Sequence, residues 1–239
     1  CQTIQSVLDQ QYPYVEYIVI DGGSRDNTME SIEPYREQLA KVISEPDQGM
    51  YDAMNKGICL ASGEIVGFLN ADDAYASPDV LTEVVERFVN EQCDCVWGDI
   101  LYFKDTPDQV TRYWQSKPFI PGAFGFGWSP PHPGFFVKKQ IYEQYGGFNL
   151  SYRLGNDIEL MMRFLEKYRV HGTYIPKLLV KMRTGGISNR SWKNILLQNQ
   201  EVMRACRELN LAVTPWRFWR NKFLKIVKQR ASGRVLESQ

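Results

Sequence analysis

The sequence predicts an α/β fold in which a mostly parallel, doubly wound sheet is flanked by helices. Two observations in the first half favour this class: strand-like apolar runs alternate with helix-like segments, and acidic residues follow the strand runs. Strands are expected at 15–20, 41–44 and 64–69, and helices at 3–11, 27–40, 49–61 and 78–90. Such alternation is typical of parallel strands that are joined by crossover helices.

The second half predicts a less regular succession of elements. Strands are expected near 95–103, 109–115, 133–137 and 170–182, with helices at 138–145 and 157–167 and two closing helices. A long loop over 118–131 is rich in Gly, Pro and aromatic residues, as functional loops often are. We divide the chain into a catalytic domain over 1–190 and a helical extension over 191–239.

The strand predicted at 64–69 is followed by the adjacent carboxylates Asp72 and Asp73. Ligands bind at the carboxyl ends of strands in open α/β sheets, so these acids are expected at a binding crevice. Paired carboxylates suit Mg²⁺ or Mn²⁺, which complete their coordination with substrate phosphates. The alternative is that both acids form a turn and cap the helix after Pro78. The two residues alone leave both interpretations open.

Two further strand ends carry polar residues. The run at 15–20 leads into Asp21-Gly22-Gly23, where glycines permit a sharp turn and close approach of a ligand. The segment 44–57 leads from a strand into a helix and contains Asp47, Asn55 and Lys56. Three acid-bearing strand ends in one half of the chain favour a nucleotide–metal site over ordinary turns.

Four segments together resemble the family 2 glycosyltransferases, above all bacterial members that build surface polysaccharides. They are Ser6–Tyr12, Ile20–Thr28, Ser44–Gly57 and Leu69–Asp73. The resemblance runs in order from about residue 3 to about residue 190. It implies a GT-A fold, a nucleotide-sugar donor, a divalent cation and inversion at the anomeric carbon.

The resemblance assigns roles to individual residues. Asp73 and Asp72 would hold Mg²⁺ or Mn²⁺, and Asp21 would lie at the nucleoside. The residues expected to bind the donor are Asp21, Gly22, Asp47, Asn55, Lys56, Asp72, His132 and Arg183. For two of these a structural interpretation stays open, since a lone His is often a core hydrogen-bonder and Arg183 precedes a glycine-containing loop.

An inverting transfer needs a general base to deprotonate the acceptor hydroxyl. Asp157 stands at the start of the helix predicted at 157–167, so the residues alone would equally make it a helix cap. The resemblance favours the base, because the family's catalytic acid occupies this place. Glu159 is the fallback.

The chain departs from the family pattern in two places. Relatives begin with a strand and a turn that contacts the nucleobase, whereas this chain opens at Cys1 within the following helix. We therefore expect a fragment without that strand. Many relatives carry an acid at the position of Gly22, and that acid often contacts uracil. A UDP-sugar is the expected donor, but because Gly22 cannot make this contact, the identity of the donor base stays open.

Composition agrees with a soluble enzyme: of 239 residues, 44% are hydrophobic and 23% charged, and the five cysteines suit reduced thiols in a cytoplasmic protein. The sequence contains no run of 18 or more apolar residues, so no transmembrane helix is predicted. No feature points to a nucleic-acid partner.

The C-terminal segment is basic and aromatic. Residues 216–239 carry seven basic residues and one acid, a sum of +6 within a chain of net charge zero. On a helix, Trp216, Trp219, Phe223 and Ile226 or Val227 would share one face. This pattern favours an amphipathic helix at the inner face of the membrane, near a lipid-linked acceptor. The alternative is a helix that packs its aromatic face on the domain.

The expected function is an inverting, metal-dependent glycosyltransferase of polysaccharide assembly that moves a sugar to a glycan or lipid-linked acceptor bound by the second half of the chain. Two alternatives come from other classes. One is a nucleotidyltransferase or phosphohydrolase with the same metal chemistry, and the other is a non-catalytic nucleotide-sugar-binding protein.

Overall fold

The computed structural model describes residues 2–106, 108–185, 192–214, 216–221, 224 and 227. Its α-helices are α1 (Gln2–Leu8), α2 (Thr28–Ile32), α3 (Met50–Leu60), α4 (Val80–Glu91), α5 (Lys139–Tyr145), α6 (Asn156–Met162) and α7 (Trp192–Glu208). Its strands are β1 (Ile18–Asp21), β2 (Lys41–Ser44), β3 (Ile65–Val66), β4 (Asp73–Tyr75), β5 (Cys95–Phe103), β6 (Val110–Trp114), β7 (Phe135–Lys138) and β8 (Gly172–Arg183). Short 3₁₀ helices cover Glu33–Gln38, Ala123–Phe126 and His132–Gly134, and a π-helical turn at Arg163–Lys167 continues α6.

Several elements are shorter than the sequence predicts, each for a local reason. The helix expected at 27–40 changes to a 3₁₀ helix from Glu33, next to Pro34, which lacks the N–H that an α-helix interior uses. The strand expected at 64–69 keeps only Ile65–Val66. At Gly67 the backbone approaches the Phe136 ring so closely that a Cβ atom would lie 2.5 Å from it.

The strands form two sheets, and β5 lies at the centre of the larger one. β1 and β2 pair in parallel, and the second sheet has the order β3-β7-β5-β8-β4, with β6 also on β5. β8 runs parallel to β5, whereas β6 and β7 run antiparallel to it, as do β3 to β7 and β4 to β8. The described sheet is therefore mixed, and the expectation of mostly parallel strands is corrected. Strands without a crossover helix need only a short turn to pair in antiparallel fashion.

Hydrophobic side chains fill both faces of β5. Trp97 and Cys95 point into one cluster with Phe135, Leu160 and Phe164, beneath α5 and α6. Their neighbours along the strand point to the opposite face, as alternate strand residues do, and pack under α4. The second cluster contains Val80, Val84, Phe88, Val96, Ile100, Phe136, Ile175, Leu179 and Val180.

The segment after residue 190 contributes to the same core. Val202 and Cys206 of α7 and Phe218 belong to the cluster around Trp97, and Phe218 is 0% exposed. Burying a Phe side chain stabilises a fold by about 1.5–3 kcal/mol, so this contact holds the described helical residues 216–221 against the domain. The domain division at residue 190 stays a prediction. No helix within the described ranges is long and apolar enough to span a bilayer.

Candidate active site

The carboxylate pair stands beside the edge strand β4. Asp73 lies opposite Met182 of β8, and its N–H donates to the Asn70 carbonyl at 3.0 Å, which closes the preceding turn. Burial raises the pKa of Asp73 to about 6, although the Asn70 amide and the Arg183 N–H donate to its carboxylate and oppose this. Asp73 is 3% exposed, whereas Asp72 is exposed.

The capping alternative for this pair does not fit the geometry. Helix α4 begins at Val80, and the residue at its N-cap is Asp79. Asp73 belongs to a strand, so its buried carboxylate caps no helix. A buried carboxyl group with a raised pKa at a cavity wall is typical of a functional site.

The donor atoms suit a hard divalent cation that shares its ligands with a phosphate. Asp72 and Asp73 offer adjacent carboxylate oxygens, and a nearby cation would compensate the cost of ionising buried Asp73. Over the described ranges, no group of three or more His, Cys, Asp and Glu side chains could hold a metal alone. The pair therefore fits Mg²⁺ or Mn²⁺ bound jointly with a diphosphate, and not a closed all-protein site.

A cavity of about 2170 Å³ collects most of the predicted site residues. Those that line it are Gly22, Asp47, Asp72, Asp73, His132, Asp157 and Arg183. They come from segments far apart in the chain, so the fold produces the cluster. Asp21, Asn55 and Lys56 do not line this cavity.

The carboxylate of Asp21 is occupied by its own loop and a neighbouring strand. It accepts hydrogen bonds from the Gly23 N–H at 3.1 Å, the Ser24 N–H at 2.9 Å and the hydroxyls of Ser24 and Ser44, both at 2.5 Å. Burial alone would raise the Asp21 pKa, but these donors outweigh it and the pKa is lowered. Asp21 lines a second cavity of about 830 Å³, and its observed contacts shape the Gly22–Gly23 turn.

Gly22 leaves room for the side chain of Asp47. A Cβ atom at residue 22 would lie 2.4 Å from Oδ2 of Asp47, so a larger residue would displace that carboxylate. The Gly49 N–H donates to Oδ1 of Asp47 at 2.8 Å and orients it. An acid thus faces the cavity beside residue 22, and it is supplied by the segment after β2.

Asn55 and Lys56 make contacts within the fold. The Asn55 amide donates to the Phe148 carbonyl at 2.9 Å and accepts from the Phe148 N–H at 2.8 Å, which ties α3 to the loop before α6. Lys56 pairs with Glu45 at 2.9 Å, and this contact raises the Lys56 pKa. Lys56 also donates to the Pro46 carbonyl at 3.1 Å. Donor binding by Asn55 and Lys56 stays a prediction.

Asp157 is the second residue of α6 and lines the large cavity. Burial raises its pKa, while the charge of nearby His132 and a hydrogen bond from the Tyr51 hydroxyl act in the opposite direction. Burial likewise lowers the pKa of His132. A partly desolvated carboxylate with a raised pKa is the property that a general base needs.

Glu159, the fallback base, is engaged elsewhere. Its carboxylate accepts from Arg163 Nε at 2.9 Å and from Arg163 Nη2 at 3.2 Å, and it does not line the cavity. The geometry therefore favours Asp157.

Aromatic rings support the partners of Asp157. The Phe148 ring centroid lies 5.3 Å from that of Tyr51, 5.5 Å from that of His132 and 5.6 Å from that of Phe68. Phe68 also stacks on His132 at 5.9 Å. Offset and edge-on ring pairs of this kind restrict orientation, so the cluster holds Tyr51 and His132 against Asp157.

Arg183 is the last residue of β8 and follows Met182, which pairs with Asp73. Its N–H donates to the carboxylate of Asp73, and its side chain lines the cavity. The guanidinium donates to the carbonyls of Lys104 and Asp105 at 3.4 Å each. The backbone of Arg183 thus contacts Asp73, while its guanidinium is held by the turn between β5 and β6.

Sequence reasoning missed Tyr51 and Phe148. Tyr51 lies within the segment 44–57 that carried the resemblance, so that segment contained its signal. Phe148 reaches the site only through contacts between distant segments, and no local pattern marks it.

The family model described as Glycosyl transferase family 2 matches residues 1–174. A glycosyltransferase of Mycobacterium tuberculosis (strain H37Rv) is 33% identical over 165 residues, which cover 68% of this chain and 62% of the relative. A PGL/p-HBAD biosynthesis glycosyltransferase of Mycobacterium bovis (strain BCG) is 28% identical over 192 residues, covering 78% of this chain and 72% of the relative. The chain thus spans less than two thirds of the M. tuberculosis relative.

Solved structures show the same fold at low sequence identity. S. aureus TarS in complex with UDP matches with a TM-score of 0.66 and 17% identity, over 89% of this chain and 61% of that one. The mannosyltransferase PcManGT from Pyrobaculum calidifontis, in complex with GDP-Man and Mn²⁺, matches with a TM-score of 0.60 and 18% identity, over 97% and 71%. These likenesses confirm the predicted GT-A-like α/β fold, and the match over residues 1–174 shows that the chain belongs to the family 2 glycosyltransferases.

Proposed function

We propose that this protein is an inverting glycosyltransferase that uses a nucleotide-sugar donor and a divalent cation. The observation that carries the proposal is the shared cavity, whose wall holds the carboxylate pair Asp72–Asp73, the acid Asp47 beside Gly22, and Asp157. A donor diphosphate at the carboxylate pair and an acceptor hydroxyl at Asp157 would thus meet in one space. The relatives TarS and PcManGT bind UDP and GDP-Man, which supports a nucleotide-sugar donor.

Asp73 and Asp72 would hold Mg²⁺ or Mn²⁺ together with the donor diphosphate. When bound, such a cation neutralises the charge that develops on the leaving nucleoside diphosphate. Ionised Asp73 is costly without a nearby positive charge, which favours joint binding of cation and donor. Arg183 adds positive charge at the same wall of the cavity.

Asp157 acts as the general base. Its carboxylate accepts the proton of the acceptor hydroxyl while the hydroxyl oxygen attacks the anomeric carbon from the face opposite the departing diphosphate. One displacement of this kind inverts the anomeric configuration. Tyr51 orients the carboxylate, while burial keeps its proton affinity above that of an exposed Asp.

Asp47 is the proposed contact to the nucleobase. Its carboxylate occupies the space above Gly22 and would accept a hydrogen bond from a base N–H, such as the imide of uracil. A UDP-sugar is therefore the first donor to test. A carboxylate would equally accept from the N–H groups of guanine, and GDP-sugars are the comparison.

The C-terminal segment supports an acceptor at the inner face of the membrane. Phe218 fixes the segment to the core, while Trp216 is 59% and Trp219 45% exposed, beside Arg217 and Arg220. Exposed Trp and Arg side chains suit an anionic lipid surface. Trp219 also lines the large cavity, so this segment borders the space that Asp157 faces.

The predicted aromatic stripe extends through Phe223 and Ile226, and those residues, with Lys222, Lys225 and Lys228, lie outside the described part of the chain. Peripheral membrane association, a cytoplasmic location and a lipid-linked glycan acceptor are parts of the proposal.

A donor screen on the full-length protein tests the proposal. We expect release of nucleoside diphosphate from one class of nucleotide sugar, loss of release in excess chelator, and recovery with Mn²⁺ or Mg²⁺. Asp73→Asn should lower turnover by about 10²-fold or more, because a ligand of the charge-neutralising cation is lost. Asp108→Asn, which alters an exposed acid, is the matched control. Full activity in excess chelator would contradict the metal mechanism.

The same screen separates the alternative classes. A phosphohydrolase would split the diphosphate bond of the nucleotide sugar into a nucleoside monophosphate and a sugar 1-phosphate. A nucleotidyltransferase would pass the nucleoside monophosphate to an acceptor and release the sugar 1-phosphate, and a non-catalytic binding protein would release nothing. Family membership favours sugar transfer over both.

A further inference from the structure

Glu201 of α7 binds the loop that leads into α6. Its Oε1 accepts a hydrogen bond from the Arg153 N–H at 2.8 Å, and its Oε2 accepts from the Leu154 and Gly155 N–H groups, also at 2.8 Å each. Three consecutive backbone donors thus converge on one carboxylate. Hydrogen bonds to an ionised acceptor are stronger than neutral ones, so the loop over residues 153–155 is firmly held.

α7 packs closely on this loop, and Gln198 adds a further hydrogen bond to it. A Cβ atom at Gly155 would lie 3.1 Å from Cβ of Glu201, so α7 packs directly on the backbone there. Gln198, one turn earlier on α7, donates to the Leu154 carbonyl at 3.2 Å. Val202, the residue after Glu201, is buried in the core and anchors α7 next to the loop.

Asp157 follows this loop after a single residue. The intervening Asn156 is 1% exposed, and its amide donates to the Asn149 and Tyr152 carbonyls at 3.0 and 2.8 Å. The backbone from 153 to 156 is therefore held on both sides, by Glu201 from α7 and by Asn156 from within the loop. A shift of the Asp157 backbone would therefore strain or break these bonds.

The charge of Glu201 also reaches the site. Burial raises the pKa of Tyr51, and the negative charges of Asp157 and Glu201 raise it further. Tyr51 is the hydroxyl that donates to Asp157. Because burial is the main cause, Tyr51 stays protonated with or without Glu201, and the contact of Glu201 with the loop carries the argument.

We propose that Glu201 is a positioning residue for the transfer reaction: by binding the N–H groups of residues 153–155 it sets the place of the Asp157 carboxylate. The inference rests on the proposed role of Asp157 as the base. Glu201 does not line the cavity, so it acts through Asp157 and not on the reacting groups themselves.

The substitution Glu201→Gln keeps the shape but removes the charge and turns an NH₂ group toward a backbone N–H. A catalytic group displaced by about 1 Å costs roughly 10²-fold in rate, so we expect turnover to fall by about 10–100-fold. The donor KM should stay within about twofold, because no donor contact changes. Glu86→Gln is the matched control, since it makes the same substitution at an exposed position of α4.

A double-mutant cycle with Asp157→Asn distinguishes positioning from general stability. If Glu201 acts through Asp157, Glu201→Gln should have no further effect on turnover in the Asp157→Asn background. A reduction that persists there, or a donor KM that changes in place of turnover, would overturn the inference. If Asp157→Asn alone leaves turnover intact, the proposed base fails instead, and the two failures are thereby separated.

Should Glu201→Gln fail to fold, Gln198→Ala provides the second test. It removes one bond to the same loop and should lower turnover by about two- to fivefold at unchanged donor KM, again only when Asp157 is present. Because Gln198 also lines the cavity, a reduction that persists in the Asp157→Asn background would mean that it acts there directly and would overturn the inference. Unchanged turnover in Gln198→Ala, with a folded protein, would overturn the inference.

Discussion

Replacing Asn55 by Ala tests whether this residue binds the donor or supports the base. The Asn55 amide makes two hydrogen bonds to the backbone of Phe148, at 2.9 and 2.8 Å, and Phe148 is 4% exposed. Each bond contributes about 1 kcal/mol, and stranding a buried partner adds to the loss, so the free energy of unfolding should fall by about 2–4 kcal/mol. For a chain of this size that corresponds to roughly 5–15 °C in Tm.

The functional consequence follows from the rings that Phe148 supports. Phe148 packs on Tyr51 and His132, which both act on the Asp157 carboxylate. Loosening Phe148 should therefore lower turnover by about tenfold at a temperature where the variant is folded. The dissociation constant of the donor should change by less than about twofold.

Thermal unfolding by calorimetry and donor binding by titration calorimetry measure the two quantities. Asn90→Ala, which truncates an exposed Asn near the end of α4, is the matched control and should change stability by no more than about 0.5 kcal/mol. An Asn55→Ala protein with unchanged Tm and donor affinity weakened tenfold would refute this reasoning and return Asn55 to the donor site.

Three further predictions concern other parts of the molecule. The Ser62 N–H donates to the Glu16 carboxylate at 2.6 Å and is the main cause that lowers the pKa of Glu16 from its ordinary 4.5 to about 2. The ionised Glu16 therefore stabilises the fold fully above pH 4.5, and this stabilisation is lost as the pH falls toward 2. Glu16→Gln should flatten the unfolding free energy across that window in urea titrations. Gly22→Ala should displace Asp47 and raise the donor KM by about tenfold at similar turnover, in initial-rate kinetics. Trp216→Ser should weaken sedimentation with anionic vesicles but leave donor hydrolysis unchanged, and a wild-type protein that never sediments would contradict the membrane proposal.

The sequence was informative where function depends on the ends of strands. Asp72, Asp73 and Gly22 follow strand-like runs, and the structure brings them to the wall of one cavity although β1 belongs to the smaller sheet and β3 and β4 to the larger one. Asp157 joined them through the family resemblance rather than through periodicity. Its placement at a helix start fits a cap and a base equally well.

Other features depend on contacts that local patterns do not encode. Asn55 meets Phe148 across 93 residues of sequence, and Glu201 meets Gly155 across 46. The antiparallel strands of the second half have the same apolar composition as parallel ones, so their direction was not readable. Only the folded chain determines these pairings.

The C-terminal segment shows a similar limit. Periodicity placed Trp216 and Trp219 on one face but could not decide which face packs, because Phe218 offers an aromatic anchor on the other. In the structure Phe218 is buried, and both Trp side chains are exposed. The packing of a helix depends on the shape of the surface beneath it as much as on its own pattern.

The central claim is that Asp157 removes the acceptor proton in a cavity shared with the donor. The most direct test is to compare Asp157→Asn with wild type at saturating donor, measuring turnover together with the dissociation constant of the donor. We expect turnover to fall by about 10²–10⁴-fold while donor affinity changes little, because Asn preserves shape but accepts no proton. Normal turnover at saturation combined with weak donor binding would contradict the claim and assign Asp157 to the donor site.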